Sequence, residues 1–233
     1  MRFPFDNKYA PFTDCIGFIQ CDVTLAAEKL MEWVTGWKNE SFSSITCKSY
    51  SNQFSEVLEL MQPFDCPEKI CLFECADGWT GYIENRDRTE TGRITIIARF
   101  ISDTKESIAV QAWPKSNGNK TVNGWGGGGM QYSQGANLIR NIFLSDQDKW
   151  ELDFYGEPLP FEEIETYKER FVKNKFTPQM LQRYLLHFGI DFFNDDFYMP
   201  TGSKAYIIEM ARDKYDHEKC LALSEMRKTM KYE

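Results

Sequence analysis

The architecture is carried by Lys69-Ile70-Cys71-Leu72-Phe73-Glu74-Cys75 and, after Ala76-Asp77, by Gly78-Trp79-Thr80-Gly81-Tyr82-Ile83-Glu84-Asn85. Two runs rich in β-branched and aromatic residues are separated by Asp77-Gly78, a pair suited to a tight turn. This pattern predicts an antiparallel hairpin. On the second run, strand alternation places Trp79 and Ile83 on one sheet face and Thr80, Tyr82 and Glu84 on the other. Upstream, Cys15-Ile16-Gly17-Phe18-Ile19-Gln20-Cys21 predicts a strand leading into a helix capped at Thr24. In that helix Ala26, Leu30, Trp33, Val34 and Trp37 recur at helical spacing and form the inner face. A polar stretch over 38–53 precedes a short helix through Phe54, Val57, Leu58 and Met61, which Pro63 closes.

Downstream, Ile94, Ile97, Phe100 and Ile101 fit a helix between Gly92 and Lys105, and Ile108, Val110 and Ala112 fit a strand ended by Pro114. Residues 115–136, with the run Gly126-Gly127-Gly128-Gly129, predict a floppy loop. Asn141 to Ser145 and Trp150 to Tyr155 flank Asp146-Gln147-Asp148-Lys149 as a second hairpin. From Pro160 the apolar period becomes helical. Phe161, Ile164, Tyr167 and Phe171 line one side of a first helix. Thr177 caps a second, with Pro178 at its first position, with Met180, Leu181, Tyr184, Leu185 and Phe188 inward, and with Gly189 as its stop. Residues 191–198 are irregular and aromatic, Ala205 to Met210 predicts a strand, and Asp216 to Met230 predicts a last helix.

The fold class that follows is α+β: a mostly antiparallel sheet with helices on one face and a helical C-terminal third. A single domain over 1–233 is expected, β-rich to about 156 with the helical part from about 157 docked on it, because no linker separates them. With 42% hydrophobic and 15% aromatic residues, disorder is excluded, and 233 residues can bury a sizeable core without disulfides. Lys and Arg total 27 against 35 for Asp and Glu, a net charge of −8. Such a chain repels nucleic acid and anionic membranes and suits a basic partner.

The seven cysteines, at 15, 21, 47, 66, 71, 75 and 220, lack zinc-site spacing and read as free, mostly buried thiols. Without a signal-peptide pattern or an apolar run near 18 residues, a cytoplasmic protein is expected, and the sequons at Asn39 and Asn119 are accidental. The two histidines exclude schemes needing several imidazoles: His187 reads as a hydrogen-bonded helix residue and His217 lies in a solvated charged run. The glycine run lacks the spacing of a phosphate loop. Glu162 and Glu163 fit a helix first turn through the helix dipole. Cys66, between Asp65 and Glu68, sits in surroundings that raise a thiol pKa. No catalytic, metal or cofactor residue is assigned. The binding candidates are Trp79, Tyr82, Glu84, Asn85 and Asp87 at the hairpin, and Asp191, Asp195 and Asp196; these three lack the ligand pattern of a calcium loop and read as solvated helix-end carboxylates among aromatic anchors, as an acidic partner surface or, least of all, as ligands of a hard cation.

Cys66-Pro67-Glu68-Lys69, Gly78-Trp79-Thr80 with Tyr82 and Asn85, Pro160-Phe161-Glu162 with Tyr167 and Arg170, Phe176-Thr177, Met180-Leu181, Tyr184-Leu185, Gly189-Ile190 and Asp196-Phe197-Tyr198 together resemble a family of uncharacterised bacterial proteins over residues 65–200. This chain has Asn85-Arg86-Asp87-Arg88 where that family carries an Asn-Gly turn. The resemblance implies a bacterial cytosolic protein, similar in character to small acidic immunity proteins that neutralise toxins, and implies no catalytic residue. The expected function is therefore non-enzymatic binding, most concretely neutralisation of a basic toxin domain by an acidic, aromatic-studded surface. The rival expectation is an enzyme or small-ligand binder with a pocket between the Trp79 strand and the glycine-rich loop.

Overall fold

The computed structural model describes residues 4–36, 42–64, 66–86, 98, 105–111, 126–146, 149–213 and 220–229. In chain order the elements are β1 (Cys15–Ile19), α1 (Val23–Thr35), β2 (Ser44–Tyr50), α2 (Phe54–Leu60), β3 (Glu68–Glu74), β4 (Thr80–Glu84) and β5 (Glu106–Gln111). They continue with β6 (Gly126–Gln134), β7 (Asn137–Asp146), β8 (Trp150–Tyr155), α3 (Val172–Lys175), α4 (Pro178–His187), β9 (Ala205–Ala211) and α5 (Leu223–Thr229).

The expected hairpin forms, with Leu72 opposite Tyr82 and Glu74 opposite Thr80. Its turn contains two left-handed residues, Asp77 at φ 57° and Gly78 at φ 77°. Around it grows one nine-stranded antiparallel sheet in the order β2-β9-β3-β4-β1-β5-β6-β7-β8. The second expected hairpin is β7 with β8, where Ile142 faces Phe154.

The sheet is covered on both faces, which corrects the expectation of helices on one. Along β3, Ile70 and Leu72 point into one buried layer while Cys71 and Phe73 point into the other. An unbroken apolar strand of this kind is what a sheet buried on both sides requires. Ala26, Leu30 and Val34 of α1 pack on the first layer with Tyr82 and Ile208. Residues of α2, α4 and α5 pack on the second, which draws its members from Tyr9 to Met226. The cap of α1 is Asp22, whose carboxylate accepts from the N–H groups of Thr24 at 2.8 Å and Leu25 at 3.1 Å, so the helix starts before the expected Thr24 cap. In α4 the cap is the expected Thr177, with Pro178 at the first position and Gly189 at φ 76° beyond the end.

A helical C-terminal third is not what forms. β9 inserts between β2 and β3, so the sheet is completed from the C-terminal part of the chain. The segment after Pro160 makes only a 3-10 turn over Ile164–Lys168 and the single turn α3, because its backbone and carboxylate are engaged elsewhere. Glu163 N–H donates to the Tyr184 hydroxyl at 2.7 Å, and Leu159 N–H donates to Glu162 Oε1 at 2.9 Å. Glu162 is the buried partner of Arg140 rather than a first-turn dipole residue. Residues 126–134 are strand β6, not loop; positions 115–125 lie outside the described residues. So do most of the helix expected between Gly92 and Lys105, and His217. His187 is exposed and stacks on Phe161, the ring centroids 4.4 Å apart. Among the described residues no helix is long and apolar enough to cross a membrane.

Two cysteines are not free. Cys66 and Cys220 form a disulfide, with Cα atoms 5.2 Å apart across 154 residues of sequence. The other five are thiols, with Cys15, Cys21, Cys71 and Cys75 buried and Cys47 exposed on β2. Burial pushes the Cys15 thiol up to about 12 and the Cys21 thiol up to about 11, and it raises those of Cys71 and Cys75 as well. Since the thiolate is the nucleophile, a maleimide added to the native oxidised protein is expected to label Cys47 first and the four buried thiols only on unfolding. Peptide mapping of the labelled protein checks this; early label on any buried cysteine would contradict the packing.

Candidate functional site

β2 and β9 pair antiparallel, with Tyr50 opposite Ala205. The chain leaving β2 and the chain entering β9 therefore meet at one end of the sheet. Between them opens a cleft of about 670 Å³. One side carries Ser51, Asn52, Gln53 and Ser55 at the start of α2, and the other carries Thr201, Gly202 and Ser203 before β9. Phe54 and Tyr198, stacked at 5.6 Å, form the apolar base, and Asp195 and Asp196 supply the charge. Among the described residues, no lysine, arginine, histidine or cysteine belongs to this lining.

The remaining wall is the N-terminal turn. Phe5, Asp6 and Asn7 are all left-handed, at φ 53°, 50° and 58°, and Met199 across the cleft is at φ 49°. Each such non-glycine residue costs on the order of 1–3 kcal/mol and persists only where its surroundings impose it. Here the Phe5 N–H donates to Asp195 Oδ1 at 2.8 Å, and the Phe5 ring packs on Phe54 at 5.3 Å and Tyr198 at 5.4 Å. Met199 is held by donation of its N–H to the Glu74 carbonyl at 2.9 Å. The Tyr198 hydroxyl donates to the Phe192 carbonyl at 2.5 Å. Burial, with Cys75, Asp195 and Asp191 nearby, raises this phenol well above its ordinary value, so it stays a donor.

Asp191 stands beside this end, accepting from Asn194 Nδ2 at 3.0 Å, while Asn194 Oδ1 accepts from the Asp196 N–H at 3.1 Å. The three aspartates expected at a binding surface thus share one region, and two of them line the cleft. The hairpin candidates are elsewhere. Trp79 is buried and donates its indole N–H to the Phe188 carbonyl at 3.0 Å, tying α4 to the sheet. Tyr82 and Glu84 are buried partners, the hydroxyl donating to the carboxylate. Asn85 is also buried: it accepts from Lys69 N–H at 2.6 Å and donates to the carbonyls of Pro63 at 2.7 Å and Pro67 at 2.8 Å. These four side chains build the interior and present no surface to a macromolecule. Asp87 lies outside the described residues.

The polar side chains of Ser51, Asn52, Gln53, Thr201 and Ser203 have no signal in the sequence, because short polar loop residues carry none until strand pairing brings them together. The N-terminal turn had one, since Asp6-Asn7 are residue types that tolerate left-handed backbone. Among the described residues no cluster of three or more His, Cys, Asp or Glu side chains could hold a metal ion. Compared with known protein families, curated proteins and solved structures, the chain matches none.

Proposed function

We propose that this is a non-enzymatic binding protein that holds a basic segment of a partner protein in the cleft at Asp195 and Asp196. In its most concrete form it is an immunity protein acting in a bacterial cytoplasm against a cationic toxin domain. The observation that carries the reading is the charge of the lining: among the described residues its charged side chains are two carboxylates, Asp195 and Asp196. The net charge of −8 acts in the same sense, steering a basic partner toward the protein. A second reading, a small polar ligand, is favoured by the cleft's volume of about 670 Å³, which falls within the roughly 300–1,000 Å³ of small-molecule sites.

Titration with hexalysine at low and high salt tests the first reading. Asp195→Asn with Asp196→Asn is expected to weaken binding about tenfold at low salt and to flatten the salt dependence, since each exposed charge acts through a screened field. Asparagine keeps an acceptor for the Phe5 N–H, so the turn stays in place. Unchanged affinity in the double variant would remove the cleft from the reading, and salt-independent binding of a neutral polyol in its place would favour the second. Co-expression with the carboxy-terminal domain encoded immediately upstream of the gene tests the immunity role. Rescue of growth is expected, and toxicity without rescue would defeat it.

A further inference from the structure

The Cys66–Cys220 disulfide fastens the entry of α5 to the loop between α2 and β3. Beside it, Phe64 N–H donates to the Leu221 carbonyl at 2.9 Å, and Leu223 N–H donates to Gln62 Oε1 at 2.9 Å. The loop end of this joint is firm. Asn85 holds the carbonyls of Pro63 and Pro67, and the buried Lys69 ammonium donates to the carbonyls of Leu60 at 2.8 Å and of Gln62. The helix end is not firm by itself. α5 has seven residues and buries Leu223 and Met226, whereas an isolated helix shorter than about 12 residues is marginal in water.

What α5 does hold is the cleft's N-terminal wall. The Arg227 guanidinium donates to the carbonyls of Asn7 at 2.5 Å, Lys8 at 3.0 Å and Ala10 at 3.3 Å. It also faces Asp14, whose carboxyl burial raises well above the ordinary range and whose charge Arg227 partly restores. The Asn7 carbonyl ends the left-handed turn that presents Phe5 to the cleft and the Phe5 N–H to Asp195, and those of Lys8 and Ala10 follow directly after it. Contacts therefore run without interruption from the disulfide through α5 and Arg227 to the turn, and from the turn to an acidic side chain of the site.

We propose that Cys66–Cys220 is a redox latch on the acidic cleft: closed, it holds α5 so that Arg227 clamps the Phe5 wall, and reduced by a protein dithiol, it lets that wall loosen. This rests on the reading of the cleft as the binding site and adds its regulation. In the chemical step a thiolate of the dithiol attacks one sulfur, a mixed disulfide forms, and the second thiol resolves it. The protein disulfide takes up two electrons and two protons to become two thiols while the reductant becomes a disulfide. Cys66 and Cys220 are half-buried rather than enclosed in the core, while four of the five remaining cysteines are buried thiols that do not compete. In a reducing cytoplasm a disulfide of this kind is characteristically transient and redox-sensing.

Hydrogen exchange on the full chain tests the latch independently of any ligand, comparing the oxidised protein with the protein reduced by dithiothreitol. Reduction is expected to speed exchange across residues 5–10 at least about tenfold, equivalent to about 1.4 kcal/mol, with β3 and β4 unchanged. Hexalysine binding should weaken in parallel. Arg227→Gln in the oxidised protein should give the same acceleration at residues 5–10 with the disulfide intact, so the test survives if Cys66→Ser with Cys220→Ser fails to fold. Equal exchange at residues 5–10 in both redox states overturns the latch. So does loss of protection throughout β3 and β4, which would make the disulfide a global staple. Local loosening with no hexalysine bound in either state supports the latch and removes the binding reading instead.

Discussion

Replacing Glu162 by alanine is expected to lower the protein's stability by about 3 to 5 kcal/mol, a large share of the roughly 5–15 kcal/mol that holds a typical domain folded. The Arg140 and Glu162 side chains are almost wholly buried and joined bidentately, Nε to Oε1 at 2.8 Å and Nη2 to Oε2 at 2.7 Å. Burial works against the Arg140 charge, but Glu162 and Tyr167 outweigh it and raise its pKa above the ordinary value. The same carboxylate accepts from Leu159 N–H at 2.9 Å and from the Tyr167 hydroxyl at 2.9 Å. Arg140 Nη1 donates to the Gly156 carbonyl at 2.6 Å, and the guanidinium lies over the Phe154 ring at 5.1 Å. Glu162→Ala therefore leaves a buried cation without its counter-charge, and removes the acceptor of two further donors, the Leu159 N–H and the Tyr167 hydroxyl. Arg140→Met should cost a similar amount by stranding the carboxylate. The double variant, Arg140→Met with Glu162→Leu, should be less destabilised than either single change, because an ion pair replaced by apolar side chains leaves nothing unpaired. Urea denaturation of the three variants measures this. A double variant as unstable as the sum of the singles would show that the two side chains act separately. Because the pair holds the segment after Gly156 to β7 and β8, while the cleft lies beyond β9 at the opposite edge of the sheet, folded Glu162→Ala protein should keep its hexalysine affinity.

How far the architecture can be read in advance follows from how local its causes are. The hairpin of β3 and β4 and the helix α4 were legible because each is announced within a dozen residues, by Asp77-Gly78 in one and by Thr177-Pro178 and Gly189 in the other. β2 was not, since Ser44-Ile45-Thr46-Cys47-Lys48-Ser49-Tyr50 lies at the sheet edge and is mostly exposed, so neither alternation nor an apolar run marks it. Its existence depends on β9, more than 150 residues later, and the cleft depends on that same pairing. The disulfide is non-local for the same reason: spacing along the chain says nothing of Cys66 meeting Cys220. Trp79 and Tyr82 are surface candidates only if the sheet has a wet face; they point to opposite faces, and the continuous apolar run Ile70-Cys71-Leu72-Phe73 beside them calls for cover on both. The acidic half of the site was legible because carboxylates at Asp195 and Asp196 stand out among aromatics. The left-handed turn that completes it is imposed by Arg227 and Asp195 from the far end of the chain.

The glycine run shows how a composition signal can point to the opposite of its usual meaning, and it makes the second large prediction. Gly127→Ala and Gly129→Ala are each expected to cost about 3 kcal/mol or more, through overpacking at both positions and a strained backbone at the first. A Cβ on Gly127 would stand 2.0 Å from the Leu144 carbonyl oxygen, and one on Gly129 would stand 2.0 Å from that of Ile142. Both obstacles are backbone in β7, the strand that β6 pairs with along its whole length, so no side chain can turn aside to make room. Gly127 is also at φ 131°, where an L-residue is strained whatever the space. These glycines let two strands approach closely; they do not make the chain loose. If they formed the floppy loop that their composition suggests, alanine at either would be neutral or slightly stabilising, by restricting the unfolded chain. Gly78→Ala is the control. At φ 77° with nothing within 4 Å of its Cβ, it should lose only the left-handed preference, about 1–2 kcal/mol. Thermal unfolding separates the cases: for a chain of this length a loss of about 3 kcal/mol lowers Tm by roughly 6–12 °C. Hydrogen exchange should place the loosening at residues 142–145, opposite the two glycines. Native-like melting of Gly129→Ala would mean that β6 and β7 do not meet in this register, and the placement of β8 and of Arg140 against Glu162 would fall with it.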